Sequence, residues 1–176
     1  EVIEIWNLVF MQYNRLENGG LENLKNKHID TGMGLERLAR VLQQASSNYE
    51  IDVFKAIIDE LGLIASQKYT GGELLSDIAY RVIADHIRTI AFSIADGQLP
   101  SNIGAGYVIR RVLRRAIRYG FSQLDIKAPF MGALIDPLLN EMGAAYPELK
   151  RNADLIKRVI TEEEKTFLST LDRGMG

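Results

Sequence analysis

The stretch Asp30-Thr31-Gly32-Met33-Gly34-Leu35-Glu36-Arg37 brings a carboxylate, two glycines and an arginine into one turn-to-helix transition. Glycines let the backbone approach a ligand closely, and the first turn of the helix behind them presents unpaired N–H groups to an anion. Leu35, Leu38, Val41 and Leu42 recur at helical spacing and are expected to face a core, which turns Arg37 away from it. A guanidinium held there, next to Gly34, donates several hydrogen bonds in a fixed fork and suits a nucleotide phosphate; the alternative is an ordinary solvated helix residue. Asp30 beside Gly32 suits an ammonium group, or else a turn or helix cap. The stretch is neither a dinucleotide fingerprint, whose last glycine would fall on Arg37, nor a P-loop, whose lysine and hydroxyl are missing.

A second group with chemical potential lies in Ser101-Asn102-Ile103-Gly104-Ala105-Gly106-Tyr107-Val108-Ile109-Arg110-Arg111-Val112-Leu113-Arg114-Arg115-Ala116-Ile117-Arg118. At roughly 100° per residue, Val108, Ile109, Val112, Leu113, Ala116 and Ile117 share one half of a helix. Arg110, Arg111, Arg114, Arg115 and Arg118 share the other, with no acidic residue among them. Such a ridge is a solvated face, is neutralised by acidic neighbours in the fold, or is a phosphate-backbone contact, for which arginine is favoured over lysine. Asn102, in a loop at the head of this helix, can cap a turn or read a base edge while the arginines hold the backbone.

These groups must be positioned by an ordinary globular chain. Its 176 residues are 47% hydrophobic and 25% charged, with a net charge of -2. That balance gives no whole-chain reason to expect nucleic acid, so the case rests on where the positive charge sits. The absence of cysteine excludes disulfides and cysteine-ligated zinc and fits a reducing compartment. No apolar run is long enough to span a bilayer. The chain opens on Glu1-Val2-Ile3 and stops at Gly174-Met175-Gly176 as a helix ends, which reads as a piece of something longer.

Val2 to Tyr13 reads as a strand apolar on both faces and therefore buried on both. Asn18-Gly19-Gly20 supplies a turn, and Leu21 to Ile29 returns as a second, poorer strand, giving a hairpin. Strand alternation puts Asn7 and Val9 on one face and Glu4, Trp6 and Leu8 on the other. An amide inside so apolar a run needs a partner, either neighbouring backbone or a polar pocket that Asp30 also reaches.

After Ala45 the pattern turns helical throughout. Val53, Phe54, Ile57, Ile58 and Leu61 form one stripe with Gly62 as a stop, and Ser76 to Ala95 carries Ala79, Ile83, Ile87, Ile90 and Ile94 inward. Pro137 is expected to kink or split the apolar run 130–142, and Pro147 to open a last helix. Thr161-Glu162-Glu163-Glu164-Lys165 reads as a solvated face; His86 reads as a core or boundary residue, and His28 as a loop residue without a role. The fold class is thus mainly α with a small N-terminal antiparallel β part, divided into 1–45 and 46–176.

The two informative stretches coincide with a known family. Residues 30–37 resemble the third signature motif of class II aminoacyl-tRNA synthetases, in particular of the alanyl branch. Glu4-Ile5-Trp6-Asn7-Leu8-Val9-Phe10-Met11-Gln12 resembles that branch's active-site strand. Arg81 to Arg88, Asp96-Gly97-Gln98-Leu99-Pro100-Ser101-Asn102 and Gly106 to Arg111 are similar to its helical tRNA-recognition region. The resemblance runs through nearly the whole chain in order.

It implies a catalytic role for Arg37, binding ATP phosphates with Gly34 as pyrophosphate leaves, and an alanine site made of Asn7, Val9, Asp30 and Gly32. It implies that Asn102 approaches the G·U wobble pair of the alanine tRNA acceptor stem, with Arg110, Arg111, Arg114, Arg115 and Arg118 on the RNA. The reaction would be ATP-dependent, magnesium-assisted adenylation of alanine and transfer to tRNA, in the cytoplasm, with neither DNA nor membrane as partner. Ala105 departs from the arginine often found there, and motifs one and two, which would complete the active site, are not in the sequence. The zinc of the parent enzyme's editing domain is not expected in this segment, which by itself is expected not to activate alanine. The reading from another class is a non-catalytic helical RNA-binding module.

Overall fold

Gly19, at φ +83°, takes the left-handed conformation that reverses the chain, while the Leu16 and Gly20 backbones bond across the turn. It joins β1 (Trp6–Arg15) to β2 (Leu21–Met33) in an antiparallel pair, with Asn7 opposite Gly32, Val9 opposite Asp30, and an irregularity between Met11 and Tyr13. The computed structural model describes residues 2–174, and Cα packing divides the chain into two compact units, Glu1–Ile51 and Asp52–Gly176. Met175 and Gly176, part of the expected helix end, lie outside the described residues.

The first unit is this two-stranded sheet followed by α1 (Leu35–Leu42) and a 3₁₀ turn (Asn48–Glu50). β1 starts later than its apolar run, and β2 continues through Asp30, Thr31 and Gly32, so that the expected glycine loop is partly strand. His28 is likewise a strand residue, opposite Met11. The expected burial of the strand does not hold: every β1 residue is exposed, because no third strand or covering layer accompanies the pair among the described residues. The expected core face of α1 is also open, with Leu35, Val41 and Leu42 each more than half exposed.

The second unit is all helix: α2 (Asp52–Ala65), α3 (Leu75–Ala95), α4 (Gly104–Gln123), α5 (Ile135–Met142), α6 (Pro147–Arg151) and α7 (Ala153–Gly174). α3 is central and packs against α2 and α4; α7 packs on α4 and on the 3₁₀ turn Met131–Leu134. The stripe Ala79, Ile83, Ile87, Ile90 and Ile94 is fully buried, as its spacing requires, and meets Phe54, Ile57 and Leu61 of α2 in one core. Each of the isoleucine, leucine and phenylalanine side chains contributes about 1.5–3 kcal/mol by leaving water, and the Ala79 methyl less.

Local differences from the expected pattern have local causes. Gly62 does not stop α2, which runs on to Ala65 and is turned out by Ser66 at φ +50°. Pro137 falls in the first turn of α5, where no helical N–H is required, and the split lies before it, at the 3₁₀ turn. Pro147 does open a helix, but a break at Asn152 separates α6 from α7; its side-chain amide bonds the carbonyls of Glu148 (3.0 Å) and Ala95 (3.3 Å).

Candidate functional site

In an antiparallel ladder residues directly opposite share a face, as do residues two apart on one strand. The register therefore gathers Asn7, Val9, Asp30 and Gly32 into one block on one side of the hairpin. Trp6, Leu8, Thr31 and Met33 take the other side, where the Trp6 indole N–H donates to the Thr31 hydroxyl. The block holds an amide, a branched aliphatic, a carboxylate and a bare backbone position, with opposite Cβ atoms about 5 Å apart. A Cβ built on Gly32 would meet nothing within 4 Å, so the space above it beside Asn7 is open. The face thus presents an anionic acceptor, an amide and a branched aliphatic beside an open backbone position, all of them exposed.

Gly34 caps α1 in an extended conformation, its N–H bonded to the Ile5 carbonyl at 3.1 Å, so the ladder leads straight into the helix. No side chain caps this terminus. Arg37 folds back over Gly34, where an added Cβ would lie 3.4 Å from its Cδ, and donates from Nη1 to the Glu4 carbonyl at 2.8 Å. The structure thus places Gly34 and Arg37 together at the end of the hairpin.

In the second unit, Gly104-Ala105-Gly106 is the first turn of α4 rather than loop. The preceding segment is held by Ser101, whose N–H bonds the Gly106 carbonyl at 3.0 Å and whose hydroxyl donates to the Ile103 carbonyl at 2.8 Å. The turn is therefore closed by Ser101, leaving Asn102 exposed beside it. Gly106 is buried because a Cβ would lie 2.5 Å from the Leu99 carbonyl oxygen and 2.3 Å from Ser101 Oγ.

The arginine ridge splits in two. Arg111, Arg115 and Arg118 are exposed along one stripe, the first two stacked near Tyr107 (5.7 Å) and Tyr119 (6.0 Å). Arg110 and Arg114 instead turn toward α7: Arg110 pairs with Glu163 at 2.5 Å, and Arg114 lies over the Phe167 ring at 5.1 Å. For Arg110 the ridge is thus neutralised by an acidic neighbour in the fold, one of the outcomes the sequence left open, and the partner comes from another helix. Val108, placed by the helical wheel on the inward half, is 59% exposed.

Sequence reasoning also missed the glutamates of α7. Glu163 is half-buried against Arg110, and Glu164 is fully buried, accepting the Phe130 N–H at 2.9 Å and the Met131 N–H at 3.1 Å. Burial pushes the Glu164 carboxyl up to about 7, against the opposing pull of those two bonds. The available signal was the helical repeat itself, since consecutive residues 100° apart cannot all face water on a packed helix. Asp77, also buried, takes bonds from Thr70 N–H and Oγ1 (both 2.7 Å) and Gly72 N–H (3.2 Å). Desolvation raises its carboxyl, but those bonds and Arg81 together carry it below the ordinary value. His86 is a boundary residue beside the Asp85 carboxylate at 3.1 Å. Among the described residues no group of His, Asp and Glu is placed to hold a metal ion, and no helix is long and apolar enough to cross a membrane.

The family model described as tRNA synthetases class II (A) matches residues 1–176. An alanine–tRNA ligase of Christiangramia forsetii is 60% identical over 175 residues, covering 99% of this chain and 20% of the relative. Those of Parabacteroides distasonis and Flavobacterium psychrophilum are 59% and 52% identical, covering 99% of the chain and 20% and 21% of the relatives. The chain thus spans about a fifth of the length of these relatives. With its whole length matched by that model, this chain belongs to the class II tRNA synthetase family.

Proposed function

We propose that the chain is the segment of an alanine–tRNA ligase that carries the alanine and outer-phosphate half of the active site together with acceptor-stem recognition helices. The observation that carries the reading is the block of Asn7, Val9, Asp30 and Gly32 on one face of the hairpin, with Arg37 folded over Gly34 at its end. Asp30 holds the ammonium of alanine, and Asn7, Val9 and the open space at Gly32 receive its methyl group. The alanine carboxylate attacks the α-phosphorus of ATP, and the bond to pyrophosphate breaks. Arg37 stabilises the charge on the departing phosphates, a contribution typically worth about 3–4 kcal/mol for one well-placed donor. A ribose hydroxyl of the tRNA terminus then attacks the carbonyl of the adenylate and AMP leaves, while Asn102 and the exposed Arg111, Arg115 and Arg118 of α4 hold the acceptor stem. Magnesium would accompany ATP on the nucleotide's phosphates and supply further charge neutralisation there.

The test compares Asp30→Ala with Asn102→Ala in the full-length ligase. Asp30→Ala is expected to abolish alanine-dependent ATP–pyrophosphate exchange, and Asn102→Ala to lower charging of tRNA with exchange intact. The 176-residue chain alone is expected to show no exchange. A second reading, a non-catalytic RNA-binding module, is favoured by the exposed stripe of Arg111, Arg115 and Arg118. It wins if both substitutions change RNA affinity and nothing else.

A further inference from the structure

Arg110 stands between two side chains of different helices and loops. Its Nη2 donates to Glu163 Oε1 of α7 at 2.5 Å, and its Nη1 donates to Asn102 Oδ1 in the segment before α4. Glu163 and Arg110 are each 19% exposed, so the charged bond between them is partly shielded and stronger than a surface pair. Asn102 itself is exposed. The chain of contacts therefore runs from a sheltered carboxylate, through a sheltered guanidinium, to an amide facing solvent.

The chemistry of the pair also fixes which way the amide points. A guanidinium has donors and no acceptor, so the amide atom turned to Arg110 is the oxygen. One lone pair of Oδ1 is used, leaving a second lone pair and both Nδ2 hydrogens for a ligand. An isolated asparagine on a loop samples several rotamers and both amide orientations. Here a bond to a positive charge, itself held by Glu163, selects one.

We infer that Glu163 is a positioning residue for RNA recognition: through Arg110 it fixes the Asn102 amide so that one acceptor lobe and one donor edge face the acceptor stem side by side. This rests on the reading of Asn102 as a contact to that stem. A shallow RNA minor groove offers the complementary pair, an exocyclic guanine amine as donor and a neighbouring ring nitrogen or ribose hydroxyl as acceptor. A freely rotating amide satisfies such a pair only part of the time, and reads a Watson–Crick G·C pair and a wobble pair less differently. Arg110 on this account serves Asn102 rather than the phosphate backbone, which is left to Arg111, Arg115 and Arg118.

The experiment measures, in the full-length ligase, kcat/KM for charging a tRNA with the G·U pair and for the same tRNA with G·C in its place. Glu163→Ala is expected to reduce the preference for G·U roughly tenfold, the scale of one base-reading contact. Glu163→Gln, which still accepts from Arg110 but without charge, is expected to fall between. In an Asn102→Ala background, Glu163→Ala is expected to change the preference no further, since the residue it positions is gone. Loss of charging on both tRNAs with the preference kept, or an additive effect in the Asn102→Ala background, overturns the inference and leaves Glu163 as helix packing. If the unsubstituted ligase shows no preference at all, the acceptor-stem reading of Asn102 fails, and this inference with it.

Discussion

The Arg37 guanidinium donates to the Glu4 carbonyl at 2.8 Å, tying α1 to the segment just before β1. That bond uses one of the donors of Arg37 and steadies the rest toward the end of the hairpin. A lysine ammonium can make the carbonyl bond or meet a phosphate, but lacks the planar fork to do both in a fixed geometry. Arg37→Lys is therefore expected to slow ATP–pyrophosphate exchange in the full-length ligase by roughly 100-fold, as for the loss of one charge-stabilising donor. An exchange rate within twofold of the unsubstituted enzyme would show that Arg37 is only a tie between α1 and the strand.

Gly32 separates a pocket role from a backbone role. It has no left-handed φ, and a Cβ there meets nothing within 4 Å, so the fold tolerates alanine. The added methyl stands on the face shared with Asn7 and Val9, in the space assigned to the substrate's own methyl group. Gly32→Ala is expected to leave the thermal midpoint unchanged and to raise KM for alanine by about 10-fold or more, the usual scale for one misplaced methyl group. An unchanged KM would remove Gly32 from the alanine site.

Much of the helical unit was legible because its periodicity is carried by residues that a single core explains. Ala79, Ile83, Ile87, Ile90 and Ile94 recur at three- and four-residue spacing and are all buried. The face parity of Asn7 and Val9 was equally legible, since a strand alternates whatever surrounds it, and the register then places Asp30 and Gly32 beside them. Burial was not legible in the first unit. Apolar residues on β1 and α1 state an affinity for a covering layer, but not that the layer is present, and Trp6, Phe10 and Leu42 are exposed. Nor was pairing across long sequence separation: Glu163 lies 53 residues from Arg110, and nothing local connects them. Val108 was misplaced for a related reason, because a helical wheel assigns halves while only the neighbours decide how much of each half is covered.

Gly106 offers a way to move Asn102 without touching it. A Cβ there would sit 2.5 Å from the Leu99 carbonyl oxygen, and that segment is already tied by the bond from Ser101 N–H to the Gly106 carbonyl at 3.0 Å. A backbone atom cannot swing aside, so the 99–103 segment must shift. Gly106→Ala is expected to cost about 1–3 kcal/mol of stability, as overpacking does. It is also expected to lower tRNA charging more than alanine activation. Gly104→Ala is the control: its φ of +57° makes alanine unfavourable by roughly 1–2 kcal/mol, yet nothing lies within 4 Å of a Cβ. Equal effects on charging from both would mean that destabilisation, not displacement of Asn102, is being measured.

The exposed arginines make a prediction in salt. Arg111, Arg115 and Arg118 face solvent, whereas Arg110 is held by Glu163 and Arg114 packs on Phe167. Removing a phosphate contact lowers the slope of log K against log salt by roughly 0.7–0.9. The triple alanine substitution at 111, 115 and 118 is thus expected to flatten the salt dependence of RNA binding by about 2–3. Arg114→Ala is expected to leave the slope alone and to lower the melting temperature through lost packing. A slope that answers to Arg114 instead would move the RNA to the α7 side of the helix.

Glu164 gives the second unit a pH dependence of defined sign. Its carboxyl has no exposed surface, and burial raises it to about 7 from an ordinary 4.5, with the Phe130 and Met131 N–H groups opposing. Between those values the folded chain holds a proton that the unfolded chain has released, so stability falls as pH rises. The favourable contribution is complete below about 4.5 and lost on passing through about 7, a difference on the order of 3 kcal/mol for that displacement. Glutamine keeps an oxygen for both N–H groups and cannot ionise. Denaturation at pH 5 and pH 8 is therefore expected to show the unsubstituted protein losing stability across the interval, and Glu164→Gln losing less. If both lose the same amount, the carboxylate is stabilised by its two backbone bonds as fully as it is by water, and the pH dependence belongs to other groups.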